Sequence, residues 1–266
     1  MAITVTEKFR ELYRKREMIS VVTCYDFSFA AVVQKSSVDA VLVGDSLGMV
    51  VQGQKSTLPV TVDEIIYHTK AVRRGAPDKY IISDMPFLSY QVSVESGIEN
   101  VGRIMKETDA DAVKLEGASE KTLHIIRELT EAGIPVQGHL GLTPQSVHTL
   151  GGFKVQGKTE PDADRIIESA EKLQEAGVFS IVLEMVPEDL GKKMTESVDV
   201  PIIGIGAGRY VSGQVLVLYD LLGINSSFNP RFLKKYADLN SVILNALNAY
   251  SFEVKDSSFP SEKNVF

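Results

Sequence analysis

The sequence contains no tryptophan and a single cysteine, Cys24. One cysteine can form neither an internal disulfide framework nor a cysteine-rich zinc site. Basic residues are outnumbered, 28 Lys and Arg against 35 Asp and Glu, for a formal net charge of −7. The nearest basic clusters, Lys70-Ala71-Val72-Arg73-Arg74 and Lys234-Lys235, are short and fall in amphipathic helical patterns. Neutralising a phosphate backbone takes a concentrated basic face, so the balance argues against nucleic acid as a partner. No apolar run approaches the roughly 18 residues expected of a membrane span. The stretch from Met1 to Phe9 lacks the charged-then-apolar order of a secretory signal. The expectation is a cytoplasmic protein with no membrane partner.

What is there suits one globular body. With 44% hydrophobic and 24% charged residues in 266, a core of ordinary size is available. A short β-branched apolar run, a small or acidic residue and a helical pattern recur along the chain. The runs are Ser20–Cys24, Ala40–Val43, Tyr80–Ser83, Ala112–Leu115, Pro135–Gly138, Ser180–Leu183, Pro201–Ile205 and Gln214–Leu218. They are nearly continuous in apolar character, as strands buried on both faces should be. Between them, Thr61-Val-Asp-Glu64 reads as a capping box opening a helix with Val62, Ile65, Ile66, Thr69 and Val72 on one face. Ser119 suits a later cap, and Pro161 and Pro187 suit first-turn positions.

About eight strand–helix alternations in about 250 residues predict a (β/α)8 TIM barrel, with a doubly wound open sheet as the alternative. Residues 1–252 are expected to form the single barrel domain. Phe9, Leu12 and Tyr13 lie at helical spacing and would close its bottom, and an amphipathic helix from Phe232 to Leu247 would end it. Residues 253–266 read as a poorly ordered tail.

In a barrel the reactive groups stand at the carboxyl ends of the strands. After the second run come Gly44-Asp45-Ser46, and after the third Asp84-Met85-Pro86-Phe87. In Ala112-Val113-Lys114-Leu115-Glu116, alternation turns Lys114 and Glu116 to the same face. The fifth run ends at His139 and the sixth at Glu184. Singly these have plain explanations, such as a helix cap, a salt bridge or a hydrogen-bonded core histidine. Together they are costly inside a barrel unless paired or ligating a metal. Carboxylates without paired histidine or cysteine select hard cations such as Mg²⁺, which could chelate an α-keto acid and stabilise its enolate. Lys114 would add positive charge, and a carboxylate such as Glu184 could take the adjacent proton. Gly204-Ile-Gly206-Ala-Gly208 is followed by Arg209 where a dinucleotide fingerprint has its last glycine, so a tight turn is the better reading. Gly151–Gly157 lacks the lysine of a phosphate loop and reads as a loop over the site.

These residues, in series, resemble ketopantoate hydroxymethyltransferases. The matching stretches are Val22–Asp26, Val43–Gly48, Thr57–Thr61, His68–Val72, Asp84–Phe87, Val113–Gly117, Gly138–Gln145 and Gly204–Gly208. The resemblance implies a TIM barrel of the phosphoenolpyruvate/isocitrate-lyase-like group, assembled as a homo-oligomer, a decamer in many members. It implies hydroxymethyl transfer from methylene-tetrahydrofolate to 3-methyl-2-oxobutanoate (ketoisovalerate), giving 2-dehydropantoate on the way to pantothenate. It assigns Mg²⁺ to Asp45, Asp84 and Glu116, and the keto acid to Asp45, Ser46, Asp84, Lys114 and His139. Glu184 matches the proton acceptor. Two positions depart from the family pattern: Ser212 stands where Asp is usual, which bears on the folate side, and Cys24 where Ala is common. The competing readings are a lyase or aldolase of the same superfamily acting on another keto acid, and a catalytically dead barrel. A Lys-Cys-Gly-His-like stretch would mark the former, and loss of Lys114 or Glu184 the latter; neither sign is present.

Overall fold

A computed structural model of the chain describes residues 3–266. Met1 and Ala2, the first residues of the expected 1–252 domain, lie outside the described residues. Eight parallel strands pair in chain order and close into a barrel. They are β1 (Ile19–Thr23), β2 (Ala40–Val43), β3 (Tyr80–Asp84), β4 (Ala112–Glu116), β5 (Val136–Gly141), β6 (Ser180–Glu184), β7 (Ile202–Ile205) and β8 (Gly213–Leu216). Pairing of Ile19–Val22 with Gly213–Leu216 closes the ring and rules out the open sheet. Pro135 and Pro201 stand one residue before β5 and β7. Proline has no N–H to donate, and here only its carbonyl enters the ladder, accepting from Val113 N–H and Ile181 N–H.

The barrel interior is layered because side chains alternate along each strand. Its floor is apolar: Ile19, Val21, Ala40, Leu42, Ile82, Ala112, Val182, Ile203 and Val215 form one cluster with Phe179. The amphipathic helix Val5–Lys15 inserts Val5, Phe9 and Leu12 into the same cluster, with Phe9 edge-on to Phe179 at 5.3 Å between ring centroids. Burial of side chains this size contributes about 1.5–3 kcal/mol each. Two residues further along the same faces the chemistry changes. Ile82 gives way to Asp84, Ala112 to Lys114 and then Glu116, and Val182 to Glu184, while on β5 the buried polar Gln137 precedes His139. An apolar floor thus carries an ionisable layer at the carboxyl ends.

The helices begin where the caps predict. Thr61 and Glu64 exchange bonds ahead of helix Val62–Gly75, and Ser119 Oγ accepts from Thr122 N–H ahead of Glu120–Glu131. Pro161 lies in the first turn of Glu160–Glu175. Pro187 sits one position earlier than predicted, as the cap of Glu188–Ser197 with an extended backbone. The eighth strand is shorter than its apolar run, because Leu218 already starts the helix Leu218–Leu221.

By contact density the chain forms two compact units, Met1–Leu216 and Val217–Phe266. The first boundary thus falls where β8 completes the barrel, not at residue 252. In the second unit the helix Leu239–Lys255 runs past that position, and Glu262–Asn264 form a further turn, so residues 253–266 carry defined structure. Among the described residues no helix is long and apolar enough to cross a membrane.

Candidate active site

The ionisable layer gathers at one mouth. Parallel register sets Lys114 beside Asp84 and His139 beside Glu116 on adjacent strands. Lys114 Nζ lies 2.9 Å from Asp84 Oδ1 and 3.8 Å from Glu116 Oε1. His139 bridges two carboxylates, with Nδ1 3.2 Å from Glu116 Oε1 and Nε2 3.3 Å from Glu184 Oε2. Asp45, just beyond β2, donates its N–H to Asp84 Oδ2 at 3.2 Å. Ser46 Oγ lies 2.8 Å from the hydroxyl of the buried Tyr25. All seven predicted residues therefore stand on β2 to β6 or just past their ends. Asp45, Asp84, Lys114, Glu116 and His139 are buried, whereas Ser46 and Glu184 are half-buried.

The end of β5 explains how Glu184 reaches this layer. Gly141 has φ +87°, and a Cβ there would stand 2.2 Å from the Glu184 carbonyl oxygen. Glycine permits the close passage, and Leu142 N–H then donates to that oxygen at 2.8 Å.

The electrostatics show a site short of positive charge. Three buried carboxylates, Asp45, Asp84 and Glu116, face two buried cationic groups, Lys114 and His139. Burial, then the charges of Asp84 and Glu116, hold the Asp45 carboxyl well above its ordinary range. Burial also raises Asp84, against the pull of Lys114. For Glu116 burial acts upward too, but His139 and Lys114 outweigh it and its carboxyl is lowered. Burial works against the charge on Lys114, yet its neighbours Asp84, Glu116 and Asp45 prevail and the ammonium is held protonated. His139 is pushed down by burial and Lys114, but Glu116 and Glu184 outweigh both and bring it up to about 9. His139 Nδ1 also lies 3.3 Å from Lys114 Nζ, so the ring stands between one ammonium and two carboxylates.

Asp84 Oδ1, Glu116 Oε1 and His139 Nε2 are buried with ion-pair contacts but no hydrogen bond. Among the described residues, no three His, Cys, Asp or Glu side chains are arranged as a complete metal cage. A Mg²⁺ site needs only one or two carboxylates, with water and substrate oxygens filling the rest. Asp45 and Asp84, the directly linked pair, fit that requirement. Glu116 is turned towards His139 and Lys114, and its Oε2 accepts from Gln145 N–H at 3.1 Å.

Two residues of the site were given no role from the sequence, although Gln145 ends the matching stretch Gly138–Gln145. Tyr90 and Gln145 are both buried, on the segments that follow β3 and β5. Tyr90 OH accepts from Glu116 N–H at 3.0 Å, and Gln145 Nε2 donates to Asp45 Oδ2 at 2.9 Å. Neither is ionised at neutral pH, and neither ends an apolar run. Ser212, by contrast, is not at the mouth. It precedes β8, and its Oγ accepts from the N–H of Ile202, the first residue of β7, at 3.2 Å. In a parallel barrel that is the amino end of the strands, so the departure from the family pattern leaves the site untouched. The Gly204–Gly208 stretch is not one tight turn: Gly204 and Ile205 belong to β7 and the chain bends only beyond them, where Gly208 has φ +81° and a Cβ would meet Glu188 at 2.5 Å.

A closed parallel barrel with buried carboxylates, a lysine and a histidine at the carboxyl ends of its strands has the architecture of a TIM-barrel enzyme. Among solved structures, 2,3-dimethylmalate lyase, a PEP mutase/isocitrate lyase superfamily member, shares that fold. It has a TM-score of 0.62 at 12% identity, covering 100% of this chain and 93% of that one. Phosphonopyruvate hydrolase in complex with oxalate and Mg²⁺ gives 0.64 at 10% identity, covering 98% and 93%. The sequence family described as ketopantoate hydroxymethyltransferase matches residues 3–262. A 3-methyl-2-oxobutanoate hydroxymethyltransferase of Leptospira biflexa serovar Patoc is 59% identical over 259 residues, 97% of each chain. The chain belongs to the ketopantoate hydroxymethyltransferase family.

Proposed function

We propose that this protein transfers a hydroxymethyl group from methylene-tetrahydrofolate to 3-methyl-2-oxobutanoate, giving 2-dehydropantoate, as a cytoplasmic, Mg²⁺-dependent step of pantothenate biosynthesis. The observation that carries the reading is the excess of buried carboxylates over cations, with Glu184 set apart beyond His139. Asp45 and Asp84 would hold the cation, and Glu116 would belong to the site through water. When bound, Mg²⁺ supplies Lewis acidity to the carboxylate and keto oxygens of the substrate.

The chain's own groups divide the remaining work. Lys114, kept protonated by its carboxylate neighbours, stabilises negative charge developing on the keto oxygen. Ser46 offers a hydroxyl to the keto acid. Glu184 ends a different strand from Asp45 and Asp84 and is half-buried, which suits it to receive the proton from the carbon beside the keto group. His139 holds Glu184 on one side and Glu116 on the other, and so sets the spacing between base and cation site.

The deciding experiment is turnover with both substrates after exhaustive chelation, then with Mg²⁺ restored, beside Asp84→Asn. Activity should vanish and return, and the variant should weaken Mg²⁺ and keto-acid binding together. Full activity in chelated enzyme would remove the metal from the mechanism. Cleavage of another keto acid without folate would assign a lyase.

We further propose a homo-oligomer, a decamer by family resemblance. The helix Leu239–Lys255 buries none of its residues and exposes Val242, Ile243, Leu244, Leu247, Tyr250 and Phe252. An apolar face of this size is characteristic of a subunit contact.

A further inference from the structure

Every hydrogen-bonding group of the Gln145 side chain is taken, and each bond leads to the cation site or its walls. Nε2 donates to Asp45 Oδ2 at 2.9 Å and to the Met85 carbonyl at 2.8 Å. Oε1 accepts from Gln91 Nε2 at 2.9 Å and from Tyr90 OH at 3.2 Å. The backbone N–H of the same residue donates to Glu116 Oε2 at 3.1 Å. Two acceptors on one side and two donors on the other admit a single orientation of the amide. Gln145 comes from the turn Pro144–Ser146 that follows β5, whereas its partners lie at or just past the ends of β2, β3 and β4. One buried, uncharged residue therefore joins the ends of four neighbouring strands.

We infer that Gln145 is the positioning residue of the cation site. Asp45 is buried, and its N–H is tied to Asp84 Oδ2 at 3.2 Å. The Gln145 donor on Oδ2 fixes its rotamer and leaves Oδ1 as the oxygen not committed to Gln145. The backbone N–H does the same for Glu116, binding Oε2 while Oε1 faces His139 and Lys114. Tyr90 supports both: its oxygen accepts from Glu116 N–H, and its single proton is shared between Gln145 Oε1 and the Glu116 carbonyl. Ligand orientation by an outer hydrogen bond typically accounts for 10–100-fold in metal affinity.

This inference rests on the Mg²⁺ reading above, and the experiment separates the two. Mg²⁺ alone is titrated calorimetrically into the wild-type protein, Gln145→Met and Tyr90→Phe, each checked for folding by thermal melting. Wild type that binds no Mg²⁺ would overturn the metal reading itself. If wild type binds, Gln145→Met should bind about 10–100-fold more weakly, and Tyr90→Phe should shift in the same direction by less. Excess Mg²⁺ should restore turnover of Gln145→Met towards the wild-type kcat, which a general loss of structure would not allow. A folded Gln145→Met with wild-type Mg²⁺ affinity overturns the inference. Should Gln145→Met fail to fold, Tyr90→Phe decides: a weakened Mg²⁺ site supports the positioning role, and an unchanged one overturns it.

Discussion

At the scale of single residues the proposed roles of Glu184 and the cation pair come apart cleanly. Ketoisovalerate carries one hydrogen beside its keto group, and Mg²⁺ and a protonated lysine cannot accept it. Glu184→Gln should still bind Mg²⁺ and the keto acid but lose exchange of that hydrogen in heavy water by about 10²–10⁴-fold, followed by NMR. A folded variant exchanging at the wild-type rate would place the base elsewhere. Cys24 gives a second prediction. Burial raises its thiol to about 11, so at pH 8 the native protein should react with a thiol reagent far more slowly than the unfolded chain. Because the folded thiol holds its proton longer, the associated stability is full below the ordinary value of 9.0 and is lost as pH rises towards 11. Charged residues at the ends of apolar runs were legible in the sequence as a set, since several of them around one mouth are costly to bury unless paired or ligating. Gln145 and Tyr90 were not, because uncharged polar residues take their meaning only from partners up to 100 positions away.

At the scale of elements, what could be read depended on how local the signal is. A cap is decided within four residues, and Thr61 with Glu64 forms the predicted box: Thr61 N–H donates to Glu64 Oε2 at 2.7 Å, and Glu64 N–H to Thr61 Oγ1 at 3.3 Å. Thr61→Ala should cost about 1 kcal/mol in urea unfolding and leave turnover unchanged. A variant as stable as wild type would show that packing of Ile65, Ile66 and Val72 starts this helix without help. The strands were legible because burial on both faces leaves near-continuous apolar runs. The end of β8 was not, since Leu216, Val217 and Leu218 are alike in hydropathy and the change to helix is made by backbone alone. The helix Leu239–Lys255 overran its expected limit for a related reason. Glu253, Val254 and Lys255 are compatible with both a last turn and a tail.

For the whole molecule, the exposed face of that last helix makes a direct test of assembly. Removing residues 232–266 should give smaller or insoluble species by size-exclusion chromatography with light scattering. A soluble particle with the subunit number of the intact protein would place the contact elsewhere. The barrel closure has its own consequence, in time rather than in space. β1 obtains its second neighbour only when β8 arrives, from the far end of the barrel sequence, and such distant pairings form slowly. The strand synthesised last is therefore also the one that seals the seam: a chain stopped before Gly213 leaves one edge of β1 and one edge of β7 without a partner, and unpaired strand edges are where a sheet recruits the wrong neighbour.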